Sequence, residues 1–322
     1  MILLAKQAVQ LSKKQRTKYR FQKLKMCKKC NRYSVLKDKT CPTCSTNLVG
    51  IESLVKSILK KRLTTEAIRI LIVVCLGIVF APTIKTMYYS LVAGIIFCIS
   101  YVALTSLFMK SEYFHQMKKL LRVDFRKIQA GIQFDSELAK ADVKEERLAA
   151  AYEKLREIGD FISTDRVKVR RVMVLNDIAL RSDMELELEG LIPSSYDKDF
   201  VKYALEVLKI NRMLITKKCI AYFIHYRDAI VIDFGMDSLV SVAGTALRMK
   251  LYILEFSTFI EEFLDYFPKE RVLRLCSIIH ANPEVEWGGL KEKTMRVVAK
   301  KYHYDPDFKR FTIERERVIS HV

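Results

Sequence analysis

A chain of 322 residues, half of them apolar, has room for two folded domains, and its composition excludes general disorder. The formal net charge is +19, of which residues 1–66 carry +14, residues 67–109 carry +2 and residues 110–322 only +3. Basicity is therefore an N-terminal property, and the overall charge of the long C-terminal part asks for no polyanion.

Residues 1–24 form a basic segment. The apolar start MILLA ends at Lys6, too short for the apolar core of a secretory signal. Lys13, Lys14, Arg16, Lys18, Arg20, Lys23 and Lys25 are candidates for contact with an anionic surface, with Tyr19 and Phe21 between them. Two partners suit this pattern. An anionic inner leaflet gives each basic side chain about 1 kcal/mol close to the surface. Nucleic acid is also possible, with phosphate contacts supplemented by stacking of bases on the two rings. Tethering to a bilayer favours the lipid reading.

Residues 25–50 contain two Cys-x-x-Cys pairs separated by ten residues: Cys27, Cys30, Cys41 and Cys44. Each pair can form a knuckle with both sulfurs on one side, and four thiolates suit one tetrahedral Zn²⁺. Such a site is closed, so the expected role is structural, with one Zn²⁺ per chain and no catalysis at the metal. Lys28, Lys29 and Arg32 would offset the thiolate charge, and Pro42 stiffens the second knuckle. A thioredoxin-like redox pair would need one Cys-x-x-Cys in a larger fold, not two within twenty residues. The other cysteines, Cys75, Cys98, Cys219 and Cys276, are scattered and form no disulfide framework. The segment resembles the short zinc ribbons that open many bacterial membrane proteins, Cys-x-x-Cys-Gly repeated after about ten residues and followed by a transmembrane helix. That resemblance assigns the ligand role to the same four cysteines. It departs at Asn31 and Ser45, which stand where the family has glycine.

Residues 51–66 are expected to form a juxtamembrane linker, and residues 67–109 a transmembrane hairpin with spans at about 67–84 and 88–109. The second apolar run has 24 residues without a charge, enough to cross a bilayer. The first has 15 uncharged residues, and reaches across only if it starts at Ala67 and Arg69 snorkels to the headgroups. Basic clusters on both outer flanks, with only Lys85 between the spans, place both termini in the cytoplasm of a multi-pass inner-membrane protein. Gly77 and Gly94 would let the two helices approach closely.

Residues 110–134 are read as a helix continuing from the second span, and residues 135–322 as a mostly helical cytoplasmic domain. Helices are expected at 135–162, 195–210, 236–267, 269–280 and 283–302. The stretch 165–180 is compatible with helix or strand, and 219–234, rich in β-branched and aromatic residues, with a small β-hairpin. Trp287 before Gly288–Gly289 is read as an aromatic plug beside a turn. The loop YHYDPDF at 302–308 is read as an ordinary loop in preference to a binding loop. No phosphate loop, dinucleotide fingerprint, nucleophile elbow or zinc-protease motif occurs, and the five histidines do not pair at ligand spacing.

The expected fold class is thus mainly α, with a small four-cysteine zinc ribbon, a two-helix hairpin and a helical C-terminal domain. The expected function is that of a non-enzymatic membrane-anchored adaptor, assembly factor or sensor that engages a protein partner or a second copy of itself. A membrane-tethered nucleic-acid binder, and a two-span effector that oligomerises into a pore, are the alternatives.

Overall fold

The computed structural model describes residues 6–14 and 17–311. The chain is mainly helical with one small three-stranded sheet, and it divides into two compact units. One is Lys14–Ser163, the other Thr164–Val322 together with Met1–Lys13.

In the first unit, β1 (Lys25–Cys27) is the middle strand of the sheet, antiparallel to β2 (Tyr33–Ser34) on one side and β3 (Leu48–Gly50) on the other. Gly50 ends β3 and is also the N-cap of α1 (Ile51–Val79), so the sheet runs into this 29-residue helix without a linker. Residues 51–66, expected as a linker, are therefore its first turns. Helix α1 ends at Val79, short of the expected span end at 84, and a turn leads to α2 (Ile84–Val123). Thr83 caps α2, its hydroxyl accepting from the Thr86 amide while the Thr86 hydroxyl accepts from the Thr83 amide.

The two helices pack as an antiparallel pair. A β-carbon at Gly94 would lie 2.8 Å from Val74 Cγ1, and one at Gly77 2.8 Å from Ser90 Oγ, so the glycines do set the approach. Along residues 68–109 much of the apolar surface is bare: Leu71 is 62% exposed and Ile99 65%. Helix α2 is long and apolar enough to cross a membrane, and it alone meets that criterion among the described helices.

At Asp124 the helix path bends into α3 (Phe125–Lys144), which is followed by α4 (Leu148–Phe161). The single helix expected over 135–162 is broken, because Glu146 takes a left-handed conformation with φ at 59°. The buried Asp142 carboxylate then accepts from Arg147 and pairs with Lys154, both at 2.6 Å, fixing the turn between α3 and α4. Helix α3 buries Ile128, Gly131, Ile132, Asp135 and Ala139, a stripe at helical spacing, and this face carries β2. Residues 135–163 thus belong to the same compact unit as the sheet.

The second unit comprises α5 (Asp165–Asn176), α6 (Lys198–Ile210), α7 (Lys217–His225), α8 (Arg227–Phe234), α9 (Met236–Ala246), α10 (Lys250–Glu255), α11 (Ser257–Phe263), α12 (Lys269–His280) and α13 (Gly289–Lys301). The N-terminal segment joins it at Gln7, which forms a parallel bridge to Ile178, and at Lys6, which pairs with Glu206. The hairpin allowed at 219–234 is absent; two helices stand there. Cys219, Ile220 and Phe223 are buried together at helical spacing, and the Tyr222 hydroxyl bridges the Ser195 carbonyl and the Asp197 amide, so packing overrides β propensity. The helix expected over 236–267 is interrupted at Leu247–Met249 and at Phe256. The 283–302 helix starts only at Gly289. Trp287 is buried and donates to the Asn282 carbonyl at 3.0 Å, which makes it the plug expected. In the loop 302–308, Tyr302 stacks on buried Phe308, while Lys269 binds Asp305 and Asp307 at 2.6 and 2.8 Å, a structural arrangement.

Candidate metal centre

Two copies of one backbone device build the centre. The Cys27 amide donates to the Arg32 carbonyl and the Cys41 amide to the Thr46 carbonyl, each at 2.8 Å and each closing a loop five residues ahead. Such a tight reversal needs one left-handed residue after the second cysteine. Asn31 and Ser45 supply it, with φ at 53° and 55°. These are the glycine positions of the ribbons the segment resembles. Asn accepts the left-handed region through its short polar side chain, whereas Ser holds it at some cost.

The knuckles bring the sulfurs of Cys27, Cys30, Cys41 and Cys44 within 4.8 Å of one another. A tetrahedron with metal–sulfur bonds of about 2.3 Å has sulfurs about 3.8 Å apart, so the four positions fit one ion after a small contraction. Cys27 and Cys41 are buried, and Cys30 and Cys44 lie toward the surface. Cys27 Sγ sits 3.4 Å from Cys44 Sγ and accepts from the Cys30 amide at 3.4 Å. The Thr46 hydroxyl and amide pull the Cys44 thiol down to about 6, while the neighbouring Cys44 sulfur, burial and the Cys27 sulfur push Cys30 up to about 12. The chemistry of this donor set is that of a thiophilic ion with no strong geometric preference beyond four-coordination.

Three contacts seat the ribbon on the helices. The buried Tyr33 hydroxyl donates to Asp124 at 2.7 Å. Asp135 receives the Val35 amide at 2.9 Å and the Ser34 hydroxyl at 3.0 Å. Burial pushes its carboxyl up to about 6 despite those donors. Arg32 lies 4.0 Å over the Phe134 ring and donates to Thr43 at 2.5 Å, linking the knuckles to α3.

The basic segment divides into structural and exposed members. Lys23 is buried and donates to Glu157 at 2.6 Å and Asp160 at 2.7 Å, and Lys14 pairs with Asp160 at 2.8 Å. Lys25 donates to the carbonyls of Leu36, Lys37 and Asp38, holding the turn after β2. These three work inside the unit, a use the sequence did not suggest. Lys13, Lys18 and Arg20 are exposed, as are Lys28 and Lys29, while Arg16 lies outside the described residues. The two rings are also engaged: Tyr19 donates to Glu52, and Phe21 packs edge-on against Phe161 with centroids 5.7 Å apart.

Comparison with known proteins finds no family model, no characterised relative and no solved structure that matches this chain.

Proposed function

We propose that the chain is a non-enzymatic, membrane-anchored adaptor or sensor whose four-cysteine ribbon holds one structural Zn²⁺. Helices α1 and α2 form its two-span membrane anchor, with both termini on the cytoplasmic side. The observation that carries this reading is the bare apolar surface of the paired helices, the first of which begins directly after the four-thiol segment. Val73 on α1 is 67% exposed and Leu107 on α2 77%, an arrangement that costs free energy in water and none in lipid. The apolar part of α1 is short, so it reaches across only as the partner of α2, with Arg69 paired to Glu66 near its inner end. Thiolates in a closed four-coordinate site favour a structural role, and the ribbon resemblance points the same way.

The helical second unit is then the part that meets a protein partner or a second copy. The nucleic-acid alternative loses support from the internal pairing of Lys14, Lys23 and Lys25, and no specific observation favours a pore.

The expressed chain should remain with membranes through an alkaline carbonate wash and yield one zinc per chain. Cysteine probes at Thr83 or Lys85 should react from outside the cell and a probe at Ser12 should not. Release by carbonate, or labelling of Ser12 from outside, would overturn the anchor.

A further inference from the structure

The interruption after α9 gathers arginines from three separate parts of the second unit. Arg212 comes from the turn after α6, Arg248 from the α9–α10 break, and Arg271 and Arg274 from α12. All four line one cavity of about 520 Å³, where Glu270 is the only carboxylate among the described residues, leaving these lining residues a formal charge of +3.

Two of these arginines have a structural use. Arg248 donates to the carbonyls of Arg212 at 2.6 Å and Ile215 at 2.8 Å, and Arg274 to those of Leu247 and Arg248 at 3.1 and 3.2 Å. Main-chain carbonyls satisfy N–H groups but leave the guanidinium charge uncompensated. Arg248 Nε is buried without an acceptor.

Arg271 is not explained in this way. Its side chain has no hydrogen-bond or carboxylate partner among the described residues. It is pressed against α9 at Gly244, where a β-carbon would lie 2.0 Å from Arg271 Nη1. Burial, with the positive charges of Arg212 and Arg274, weakens its hold on its proton. A half-buried guanidinium among like charges costs free energy that an anion would offset.

We propose that this cavity binds a diphosphate group, with Arg271 as its central ligand and Arg212, Arg248 and Arg274 around it. A diphosphate carries about three negative charges near neutral pH, matching the cavity, and its oxygens suit the fork of a guanidinium. Met213, Leu247 and Met249 give the rest of such a ligand an apolar wall. The same chemistry can come from a soluble diphosphate or from adjacent lipid phosphates. The site is independent of the ribbon and of the membrane anchor.

Full-length protein in detergent should bind inorganic pyrophosphate saturably, one per chain, at about 0.1 M salt. Arg271→Gln should weaken binding at least about tenfold. Gly244→Ala, which keeps every charge but displaces Arg271, should weaken it comparably. If either variant fails to fold, Arg212→Gln carries the test, since the exposed Arg212 side chain supports no described contact; its affinity should fall with the melting temperature unchanged. Competition by phosphatidylglycerol vesicles would assign lipid phosphates, and its absence a soluble ligand; either accords with the site. No saturable binding, or affinity unchanged in both Arg271→Gln and Arg212→Gln, would overturn it.

Discussion

A β-carbon on Gly131 would lie 2.1 Å from the carbonyl oxygen of Tyr33. The ribbon backbone therefore rests directly on the backbone of α3, closer than any other residue at 131 would allow. Gly131→Ala should destabilise the first unit by about 2–3 kcal/mol, because the atom in the way is main chain and cannot rotate aside. Gly190→Ala, with nothing within 4 Å, should change stability little. Denaturant melts of both variants check this.

Asp135 gives the ribbon–helix contact a pH dependence of unusual sign. The folded protein holds this proton more tightly than the unfolded chain, with the carboxyl at about 6 against an ordinary value near 4. Ionisation therefore costs stability as pH rises from about 4 through about 6, by about 3 kcal/mol at most, and the cost is absent below that window. Asp135→Asn can keep both contacts and should flatten the curve. Asp135→Ala leaves the Val35 amide unpaired and should lose about 1–3 kcal/mol. Stability difference curves between pH 4 and 7 test both, and a wild type that gains stability on passing above pH 6 relative to Asn would refute the assignment.

Ser45 holds a left-handed backbone without glycine's freedom. Ser45→Gly should stabilise the second knuckle by about 1 kcal/mol and slow chelator-driven metal loss. Cys27→Ser or Cys41→Ser should abolish metal binding while α1 and α2 stay helical. Elemental analysis and exchange kinetics with a chromogenic chelator report the outcome.

The basic segment should separate by residue. Lys23→Ala leaves buried Glu157 without its closest cation and should cost about 3 kcal/mol of stability. Lys18→Ala and Arg20→Ala, both exposed, should leave stability unchanged and weaken binding of the protein's N-terminal face to anionic vesicles. Equal effects of all three on melting would remove the distinction.

What the sequence makes legible is local. Four cysteines at fixed spacing need only two short turns to meet, so the ligand set can be read directly, and so can glycines on facing apolar helices. Lys23 and Lys25 read as surface charge in the sequence because their partners, Glu157 and the carbonyls of 36–38, are remote in sequence or lie on the main chain. The 219–234 segment reads as a hairpin because β-branched residues report a buried environment as readily as a strand. The arginine-lined cavity has no linear signature, since its members lie up to 62 residues apart, from Arg212 to Arg274.

Gly50 belongs to β3 and to the start of α1 at once, while Tyr33 of β2 grips Asp124 at the root of α3. The ribbon is therefore a bracket across the feet of the helix pair, bolted to one foot covalently and to the other by a hydrogen bond. Helix α1 rises about 43 Å from that bracket. A tilt of a few degrees at Gly50 would become a displacement of several ångströms at Val79. Metal occupancy would then govern the stiffness of this lever, and a metal-depleted chain should show faster amide exchange at both feet before anything changes at the helix tips.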